Sequence, residues 1–275
     1  MKIYITGATG FIGQNLVTYY TQRGYEVGVY QRGQSVTDSL LAFAPDAIVN
    51  CAAEIYDPDK MFDPNILMVQ SCLDYVKTCP QTCRMIQIGS SSEYGPTNHA
   101  TAEDTPLKPV DFYQATKGAA TLLCQGWARY HKLPIWIVRP YSVYGPGERP
   151  HRLFPRLYRA FNYNESMTLY QGQHDFIYIN DFVRGIDLVL QEWDLAPGEI
   201  VNFGSGVQVS NFELLDIWSH VTEKTAPVAK VAEMRKAFEN NVWVCDITKS
   251  FQLGFECEYT LETGIRDFLL KAKYD

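Results

Sequence analysis

The sequence lacks the features that would point to a membrane or to a nucleic acid. No apolar run approaches the ~20 residues that a membrane-spanning helix needs. Basic residues are not in excess, because 24 lysines and arginines stand against 31 aspartates and glutamates, a formal net charge of -7. This charge disfavours a general electrostatic attraction to nucleic acid, although a small anionic ligand can still bind locally. We therefore expect no membrane and no nucleic acid among the partners.

The sequence also lacks the cysteine pattern of a secreted protein. Its seven cysteines are odd in number and lie mostly in apolar stretches, unlike a disulfide framework. The chain does not open with a basic segment followed by an apolar one, the pattern of a secretory leader. These observations predict a cytoplasmic protein. Cys79 and Cys83 lie close together, but they have no second pair or histidine at ligand spacing, so we expect free thiols and no metal site.

What the sequence does contain is an alternation of short apolar runs with longer amphipathic runs. This alternation predicts βαβ units and hence an α/β fold, a Rossmann-type doubly wound parallel sheet with helices on both faces. The predicted strands are Ile3–Thr6, Val27–Tyr30, Ala47–Ala52, Met85–Gly89 and Ile135–Arg139. The predicted helices are Gln14–Arg23, Ser39–Phe43, Asn65–Lys77 and Phe112–His131. Ligands bind such sheets beyond the carboxyl ends of the strands, so motifs at those ends are the candidates for function.

The regular pattern ends near the basic, proline-marked segment Arg149–Arg152. We predict a domain boundary there, with a Rossmann domain in residues 1–147 and a smaller, mainly substrate-binding part in residues 148–275. Apolar runs at Ile177–Ile179 and Ile200–Phe203 are predicted to return as strands to the main sheet. The two parts would then be interleaved in sequence.

The first predicted strand leads directly into a glycine-rich loop with GxxGxxG spacing. Glycine allows a tight turn and a close approach of the backbone to a pyrophosphate, and the helix that follows offers amide donors. The loop around Gly7, Gly10 and Gly13 therefore predicts a dinucleotide site. The alternative, a glycine turn that only joins strand to helix, is disfavoured once the motifs below are considered.

The second predicted strand ends in Val29-Tyr30-Gln31-Arg32. An NAD enzyme usually has an acidic residue here, which binds the ribose hydroxyls. Arg32 can instead pair with the 2′-phosphate of NADP, and the missing carboxylate removes a repulsion. We predict NADP(H) as the preferred cofactor, bound here by Gln31 and Arg32, with NAD(H) as the alternative. Arg32 could also be a solvated surface arginine.

Candidate catalytic residues follow the fourth predicted strand. Ser90 opens a polar segment, and Tyr113 and Lys117 lie four residues apart, on one face of the next helix. A nearby cation favours the phenolate form of a tyrosine, which makes the phenol a usable acid–base group. The Ser90 hydroxyl can bind a substrate oxygen as its charge changes. The alternatives are a tyrosine at the edge of the core and a serine helix cap.

Further motifs lie at Asn50–Ala53, Arg139–Gly147, Asp175–Asp181 and Asn202–Gly206. With the motifs above, they resemble the extended short-chain dehydrogenase/reductases of the NAD-dependent epimerase/dehydratase family over almost the whole chain. The resemblance implies that Ser90, Tyr113 and Lys117 are catalytic. It also implies a cofactor site formed by Gly7, Gly10, Phe11, Ile12, Gly13, Ala52, Ala53, Asn65, Tyr113, Lys117, Pro140, Tyr141 and Val143. Typical substrates of the family are nucleotide-activated sugars, which undergo 4-keto reduction, epimerisation or 4,6-dehydration.

The residues after Ser90 help to choose among these reactions. Dehydratases of the family usually have acidic residues directly after the serine or threonine, to protonate a leaving hydroxyl and remove a proton. Here Ser91 and Ser92 occupy those places, and Glu93 comes one position later. The sequence thus disfavours dehydration and is similar to that of some 4-ketohexose reductases.

We expect substrate contacts from Ser91, Ser92, Arg152 and His174. His174 stands where the family often has an arginine for the diphosphate, and Val242–Cys245 replaces a second frequent arginine near Asp246. Other cations would then bind the diphosphate. The candidates besides Arg152 are Arg149, Arg156 and Arg159, which alternatively form a solvated basic face.

The leading hypothesis is an NADPH-dependent reductase of a keto sugar, with a nucleotide-linked 4-keto-6-deoxy hexose as substrate. One alternative is a sugar-nucleotide epimerase that recycles a bound NAD with the same residues. A non-catalytic NADP-binding sensor is the alternative from another class, because fold does not fix function. A homodimer formed through the Tyr113 helix is expected from the resemblance, although apolar helix faces can equally belong to the core.

Overall fold

A computed structural model describes residues 1–192, 194–225, 228–232 and 242–274. Its strands are β1 (Lys2–Thr6), β2 (Glu26–Val29), β3 (Ala47–Asn50), β4 (Arg84–Ile88), β5 (Ile135–Pro140), β6 (Ser142–Tyr144), β7 (Met167–Tyr170), β8 (Gln173–Tyr178), β9 (Ile200–Phe203), β10 (Gln208–Ser210) and β11 (Val228–Ala232). Its α-helices are α1 (Phe11–Gln22), α2 (Val36–Phe43), α3 (Met68–Thr78), α4 (Phe112–His131), α5 (Leu153–Tyr163), α6 (Ile179–Gln191), α7 (Asn211–Thr222), α8 (Thr248–Gln252) and α9 (Leu261–Lys271). Short helical turns include a 3-10 turn at Pro58–Lys60, a π-helical turn at Asp63–Leu67 and a 3-10 turn at Ser91–Tyr94.

Six strands form the main sheet in the order β2-β1-β3-β4-β5-β9. The pairs β1 with β2, β1 with β3, β3 with β4 and β4 with β5 are parallel. The chain proceeds from β1 to β2 on one side and returns to β3 on the other, so the strand order reverses between β1 and β3. Ligands of doubly wound sheets bind beyond the carboxyl ends at such a point. The predicted Rossmann-type α/β fold is confirmed.

The central strands β3, β4 and β5 are buried along their whole length. Strands covered on both faces are mostly apolar, which explains their apolar runs in the sequence, and their buried polar residues include Asn50, Gln87 and Arg139. Ile48, Met85 and Ile137 of these strands belong to one core cluster with Leu73 of α3 and Ala120 of α4. This packing fixes α4 on the sheet and with it the side chains that α4 carries.

Helix α4 has the bounds that its spacing predicts. Asp111 caps its first turn by accepting a hydrogen bond from the Gln114 amide, and Lys132, with a φ of +55°, ends it in the left-handed conformation. The helix contains 20 residues and is amphipathic. Within the described ranges, no helix combines the length and the apolar character needed to cross a bilayer.

The chain divides into two compact units. The first unit consists of Met1–Gly95, Glu103–Pro140 and Val183–Asn202. The second unit consists of Pro96–Ala102, Tyr141–Phe182 and Phe203–Asp275. Besides its helices, the second unit contains a three-stranded sheet in the order β10-β8-β6 and the pair β11 with β7.

One predicted strand is assigned to a different sheet from the one expected. The prediction that Ile177–Ile179 returns to the main sheet is wrong, because β8 pairs with β6 and β10 in the second unit. Ile177 lies opposite Val143 in a parallel pair, and Ile179 already begins α6. An apolar run indicates burial and does not indicate which strand is its neighbour. Ile200–Phe203, by contrast, forms β9 beside β5 in the main sheet.

Candidate active site

The glycine-rich loop connects β1 to α1. Gly7 has a φ of +63°, and a Cβ there would lie 2.7 Å from the amide nitrogen of Ala52. A Cβ on Gly13 would collide with the carbonyl oxygen of Gly7. The Gly10 amide closes the turn by donating to the Gly7 carbonyl over 2.9 Å. The absence of side chains at Gly7 and Gly13 lets the loop bend tightly, against the segment after β3 and against the first turn of α1.

The N-terminus of α1 has the features of an anion-binding site. Gly10 caps the helix without a side-chain hydrogen bond, and no acidic residue lies in the first turn. The first-turn amides of α1 are therefore free of a side-chain cap, and the helix dipole favours negative charge there. Phe11 and Ile12 of this turn are half-buried. These residues fit the pyrophosphate of a dinucleotide cofactor, which would approach the close-packed glycines.

A ladder of buried polar side chains links the carboxyl ends of β1, β3 and β4. The hydroxyl of Thr6 is hydrogen-bonded to Asn50 Oδ1, and Asn50 Nδ2 donates to Gln87 Oε1 over 2.7 Å. Gln87 Nε2 then donates to the carbonyl of Ile88 over 2.9 Å. The Ala52 amide donates to Thr6 Oγ1 over 3.2 Å. The ladder fixes the strand ends against each other and anchors the start of the loop after β3.

Asn65, in the π-helical turn, holds the loop after β3 against α4. Its Oδ1 accepts from the Glu54 amide over 2.9 Å, and its Nδ2 donates to the Glu54 carbonyl over 3.0 Å and to Thr116 Oγ1 over 2.9 Å. Both amide hydrogens of Asn65 are therefore used within the protein. A direct contact between Asn65 and the cofactor stays a prediction. In this structure Asn65 orients the loop that carries Ala52 and Ala53.

Ser90 lies just past β4 and caps the 3-10 turn that follows. Its Oγ accepts from the Ser92 amide over 3.2 Å and lies 2.7 Å from Ser92 Oγ. Its own amide donates to Glu93 Oε1 over 2.8 Å, which completes a capping box. Ser90 and Ser92 are half-buried, whereas Ser91 is buried. Of the two serines predicted to bind substrate, Ser92 is the more accessible.

Tyr113 and Lys117 lie one turn apart on α4. Lys117 is 3% exposed, and its Nζ donates to the Ile88 carbonyl over 2.5 Å. Tyr113 is half-buried. Burial lowers the pKa of Lys117, and the carboxylate of Glu93 acts in the opposite direction. The ammonium group is thereby tied to the last residue of β4, two residues before Ser90.

Glu93 is a buried carboxylate that pairs with Arg139 of β5. Its Oε2 accepts from Arg139 Nε over 2.9 Å and from Thr121 Oγ1 over 2.8 Å. The Arg139 guanidinium also lies over the Tyr94 ring, 4.6 Å from its centre. Burial raises the pKa of Glu93, and the charge of Arg139 opposes this rise. A carboxylate held in this way is not available to a substrate.

Gln31 and Arg32 lie in the exposed turn after β2. The turn is closed by the Gln34 amide, which donates to the Gln31 carbonyl over 3.2 Å. Because β2 is the hydrogen-bonded neighbour of β1, Arg32 and the glycine-rich loop belong to the same end of the sheet. A cofactor 2′-phosphate bound at this end would meet an arginine and no carboxylate in that turn.

The remaining predicted cofactor residues follow the body of β5. Pro140 is the last residue of β5, and Tyr141 and Val143 in the second unit are 6% and 9% exposed. The Tyr141 amide donates to the Phe203 carbonyl over 2.9 Å, within the same unit. Contacts from these three residues to a cofactor stay a prediction.

The second unit contains the predicted substrate residues Arg152 and His174. His174 Nδ1 lies 3.4 Å from Ser142 Oγ, and Arg152 Nε lies 3.6 Å from Glu148 Oε1. Burial lowers the pKa of His174 to about 4, and the charge of Arg152 acts in the same direction. The imidazole is therefore neutral near pH 7 and cannot supply the positive charge of the arginine that it replaces. The Arg152 side chain is 51% exposed and remains a candidate for that charge.

Two of the other basic candidates are engaged within the second unit. Arg156 donates to the Thr168 carbonyl over 2.5 Å. Arg159 donates to Glu165 Oε2 and to the Pro150 carbonyl, both over 3.0 Å. Both side chains therefore have partners within the protein, and a role of Arg156 or Arg159 in binding the diphosphate stays a prediction, as does the alternative of a solvated basic face.

Sequence reasoning missed the structural roles of Glu93, Gln87 and Thr121. For Glu93 a signal was present, because a glutamate three residues after a serine is the spacing of a capping box. Its ion-pair partner Arg139 is 46 residues away in sequence, so no local spacing could reveal it. Gln87 lies inside a run that reads as a buried strand, where a glutamine gives no indication of its partners.

Comparison with known families decides where the chain belongs. A model described as the NAD dependent epimerase/dehydratase family matches residues 3–204. The chain belongs to this family. The resemblance inferred from the motifs is confirmed, and the protein is an enzyme of the extended short-chain dehydrogenase type.

Relatives of this family member match it along nearly its whole length. The low-salt glycan biosynthesis protein Agl12 of Haloferax volcanii is 29% identical, over 96% of this chain and 96% of its own. The dTDP-glucose 4,6-dehydratase of Streptomyces griseus is 24% identical, over 96% of this chain and 91% of its own. The solved structure of the UDP-glucuronic acid 4-epimerase from Bacillus cereus, in complex with UDP-glucuronic acid and NAD, has a TM-score of 0.86 at 24% identity, covering 98% of both chains. The structural likeness supports the fold.

Proposed function

We propose that this family member is an NADPH-dependent reductase of a keto sugar, with a nucleotide-linked 4-keto-6-deoxy hexose as the substrate class. The observation that carries the proposal is the make-up of the site around Ser90. Tyr113 and Lys117 offer a proton-transfer pair on α4, while the nearest carboxylate in the sequence, Glu93, is locked in a buried ion pair. Such a site suits reduction better than dehydration.

The proposed cofactor site is the glycine-rich loop with the uncapped start of α1. When bound there, NADPH would supply a hydride to the carbonyl carbon of the substrate. Arg32, exposed after β2, would pair with the 2′-phosphate, and no carboxylate in that turn would repel it. Ala52, Ala53 and Lys117 are the proposed neighbours on the ribose and nicotinamide side. The similar structure from Bacillus cereus is a complex with NAD, so the preference for NADP over NAD is proposed from Arg32 and not from that structure.

The side chains of the proposed catalytic set have distinct roles. Tyr113 gives its hydroxyl proton to the carbonyl oxygen as that oxygen gains negative charge, and the resulting phenolate regains a proton from solvent. Lys117, buried and anchored on Ile88, favours the phenolate through its positive charge. The Ser90 hydroxyl donates to the same substrate oxygen. The products are the alcohol and the oxidised cofactor, so atoms and electrons balance.

Dehydration would need further acid–base groups next to Ser90. A 4,6-dehydration protonates a leaving hydroxyl and removes a carbon-bound proton. Ser91 and Ser92 supply no carboxylate for these steps, and Glu93 already accepts bonds from Ser90, Thr121 and Arg139. Relatives that are named dehydratases therefore do not lead us to propose that activity for this chain.

A sugar-nucleotide epimerase that recycles bound NAD is the second candidate. It is favoured by the match to the Bacillus cereus UDP-glucuronic acid 4-epimerase. It uses the same proton-transfer pair, since oxidation and re-reduction of one carbon need the tyrosine as base and then as acid. The two candidates differ in whether cofactor is consumed.

One assay separates the two candidates. The protein is mixed with NADPH or NADH and a nucleotide-linked 4-keto-6-deoxy hexose, and the loss of reduced-cofactor absorbance is followed. We expect loss with NADPH, matched by one alcohol formed per NADPH consumed, and abolished in Tyr113→Phe. Turnover of a UDP-hexuronic acid or UDP-hexose with no net change in cofactor would instead establish the epimerase. If Tyr113→Phe left all measured turnover unchanged, neither candidate would stand.

Substrate contacts and assembly are also part of the proposal. Ser92, Arg152 and His174 are the proposed substrate ligands, with Ser91 as a buried neighbour, and His174 acts as a neutral hydrogen-bonding group. A homodimer through α4 is supported by Leu122 and Tyr130, which are 59% and 84% exposed on that helix. Light scattering of the purified protein would test this, and a monomer at micromolar concentration would exclude it.

A further inference from the structure

One buried carboxylate joins the Ser90 turn to the helix that carries Tyr113 and Lys117. Glu93 Oε1 accepts from the Ser90 amide over 2.8 Å, and Glu93 Oε2 accepts from Thr121 Oγ1 over 2.8 Å. Thr121 lies four residues after Lys117, which lies four residues after Tyr113, so the three share one stripe of α4. One oxygen of Glu93 therefore holds the turn that carries Ser90, and the other holds the helix that carries Tyr113 and Lys117.

The Glu93 side chain is closely surrounded by Gly89 and Arg139. A Cβ on Gly89 would lie 2.7 Å from Glu93 Oε1, so any larger residue before Ser90 would require this carboxylate to move. The charge of Glu93 is balanced by Arg139, whose side chain is 1% exposed. A buried ion pair of this kind contributes little net stability compared with an apolar pair of similar volume. The pair by itself is therefore weak evidence for a role in stability, and the hydrogen bonds of Glu93 to the Ser90 turn and to α4 are the better guide to its role.

The groups that surround Lys117 explain what the charge of Glu93 does. Three titratable groups act on Lys117: Glu93 on the 3-10 turn, Cys51 just after β3 and Cys124 on α4. Tyr113 lies one helical turn before Lys117 on α4. Burial raises the pKa of both thiols, to about 12 for Cys51 and further for Cys124, so neither thiol is charged near neutral pH. Glu93 is therefore the anionic neighbour that offsets the burial of the ammonium group.

We propose that Glu93 is a positioning residue that clamps Ser90 to the Tyr113–Lys117 stripe and acts through its charge on Lys117, whose Nζ is bonded to Ile88 two residues before Ser90. This rests on the proposed function in so far as Ser90, Tyr113 and Lys117 are the reacting set. Glu93 itself touches neither the substrate nor the cofactor. The clamp depends on the hydrogen bond between Thr121 and Glu93, whereas the electrostatic effect depends on the charge of Glu93. A substitution of Thr121 therefore tests the first effect and a substitution of Glu93 tests the second.

The electrostatic effect is tested without any substrate. The pKa of the Lys117 side chain is measured by NMR titration of lysine-labelled protein, with the Lys117 signal assigned from Lys117→Arg. We expect Glu93→Gln to lower this pKa, because the carboxylate that most strongly opposes the effect of burial is then gone. An unchanged pKa in folded Glu93→Gln would overturn the electrostatic role. This readout stays decisive even if no sugar substrate is ever turned over, which would count only against the proposed function.

A second variant covers the case in which Glu93→Gln does not fold, since it leaves the Arg139 charge buried and unpaired. The double variant Glu93→Gln/Arg139→Met removes both charges at similar volume. We again expect the pKa of Lys117 to fall, because the carboxylate that opposes the effect of burial is gone in this variant too. An unchanged pKa in the double variant would also overturn the electrostatic role.

The clamp is tested by Thr121→Val, which removes one hydroxyl and keeps the volume and the charge of Glu93. We expect kcat to fall about fivefold through misplacement of Ser90 relative to Tyr113, with the pKa of Lys117 unchanged. Thr78→Val in α3 is the matched control, since among the residues that the structure describes that hydroxyl bonds to the Asp74 and Tyr75 carbonyls of its own helix. Equal kcat values for Thr121→Val, Thr78→Val and the unaltered protein would overturn the clamp.

Discussion

Lys117 Nζ donates to the carbonyl of Ile88 over 2.5 Å, and the same carbonyl accepts from Gln87 Nε2 over 2.9 Å. The ammonium group that is proposed to act on Tyr113 is thus anchored on a main-chain oxygen and not on a carboxylate. Through Gln87, that oxygen is connected to Asn50 and onward across three strands. The geometry of the lysine depends on the interior of the sheet as well as on α4.

Replacing Gln87 by methionine tests this dependence. The variant keeps an unbranched side chain but leaves Asn50 Nδ2 without its acceptor and frees the Ile88 carbonyl from one donor. We expect the free energy of unfolding to fall by about 1–3 kcal/mol, because a buried donor loses its partner. We also expect kcat to fall about fivefold to tenfold as Lys117 loses its fixed orientation. Denaturant unfolding and steady-state kinetics measure the two effects.

Gln125→Met is the matched control for that variant. Gln125 Nε2 donates to the Gly198 carbonyl over 3.2 Å, so the same substitution removes the same kind of bond two turns after Lys117 on α4. We expect a smaller loss of stability and no change in kcat. If Gln87→Met and Gln125→Met lowered kcat equally, the ladder would have no specific effect on the lysine.

Replacing Arg32 by alanine tests the cofactor preference. Loss of a charge-assisted pair with the 2′-phosphate should raise the KM for NADPH about tenfold, and the KM for NADH should change less than about twofold. Arg23→Ala is a suitable control, because Arg23 stacks on the Tyr19 ring at the far end of α1. Equal changes for the two cofactors would identify Arg32 as a solvated surface residue.

Much of the fold could be predicted from the sequence, because its signals are local. The α4 bounds follow from amphipathic spacing between Asp111 and Lys132, and the buried strands follow from continuous apolar runs. The sheet partner of Ile177 could not be predicted, because pairing is set by contacts between residues far apart in sequence. Val143, its observed partner, lies 34 positions away.

The same limit applies to the site. The one-turn spacing of Tyr113 and Lys117 is visible in the sequence, whereas the anchor of Lys117 on Ile88 spans 29 positions. The position of Glu93 after Ser90 predicts that it is not a dehydration acid, and this stays a prediction. Its pairing with Arg139 gives the physical reason, and that reason required the fold.

Gly13→Ala tests whether the contact between the glycine-rich loop and α1 is needed for cofactor binding. The added Cβ would collide with the Gly7 carbonyl, so the loop or the helix must move. We expect the affinity for NADPH to fall at least tenfold and the free energy of unfolding to fall by about 1–3 kcal/mol. Calorimetric titration with NADPH and thermal unfolding measure the two losses.

Gly126→Ala is the control for Gly13→Ala, at a glycine where an added Cβ meets no close neighbour. Apart from its chain neighbours and the backbone of its own helix α4, a Cβ there would have no atom within 4 Å. We expect unchanged cofactor affinity and a gain in stability of up to about 1 kcal/mol, because alanine favours helix. Equal losses of affinity in the Gly13 and Gly126 variants would show that the contact at Gly13 is not special.

Glu148 in the second unit predicts how stability depends on pH. Its side chain is 5% exposed, and its Oε2 has no hydrogen-bond partner within the described residues. Burial raises its pKa to about 8, and Arg152 opposes this rise. Because the folded pKa exceeds the unfolded one, the folded state binds more protons between pH 4.5 and pH 8, and stability falls as pH rises through that window.

Glu148→Gln removes this titration and keeps the volume of the side chain. Near pH 4.5 the variant should match the unaltered protein, since both side chains are neutral there. Toward pH 8 the variant should become more stable than the unaltered protein, by up to about 4 kcal/mol. Denaturant unfolding of both proteins across this range measures the difference, with Glu165→Gln as the control at an exposed carboxylate. A difference that does not grow with pH would mean that Glu148 is ionised in the folded protein and compensated by Arg152.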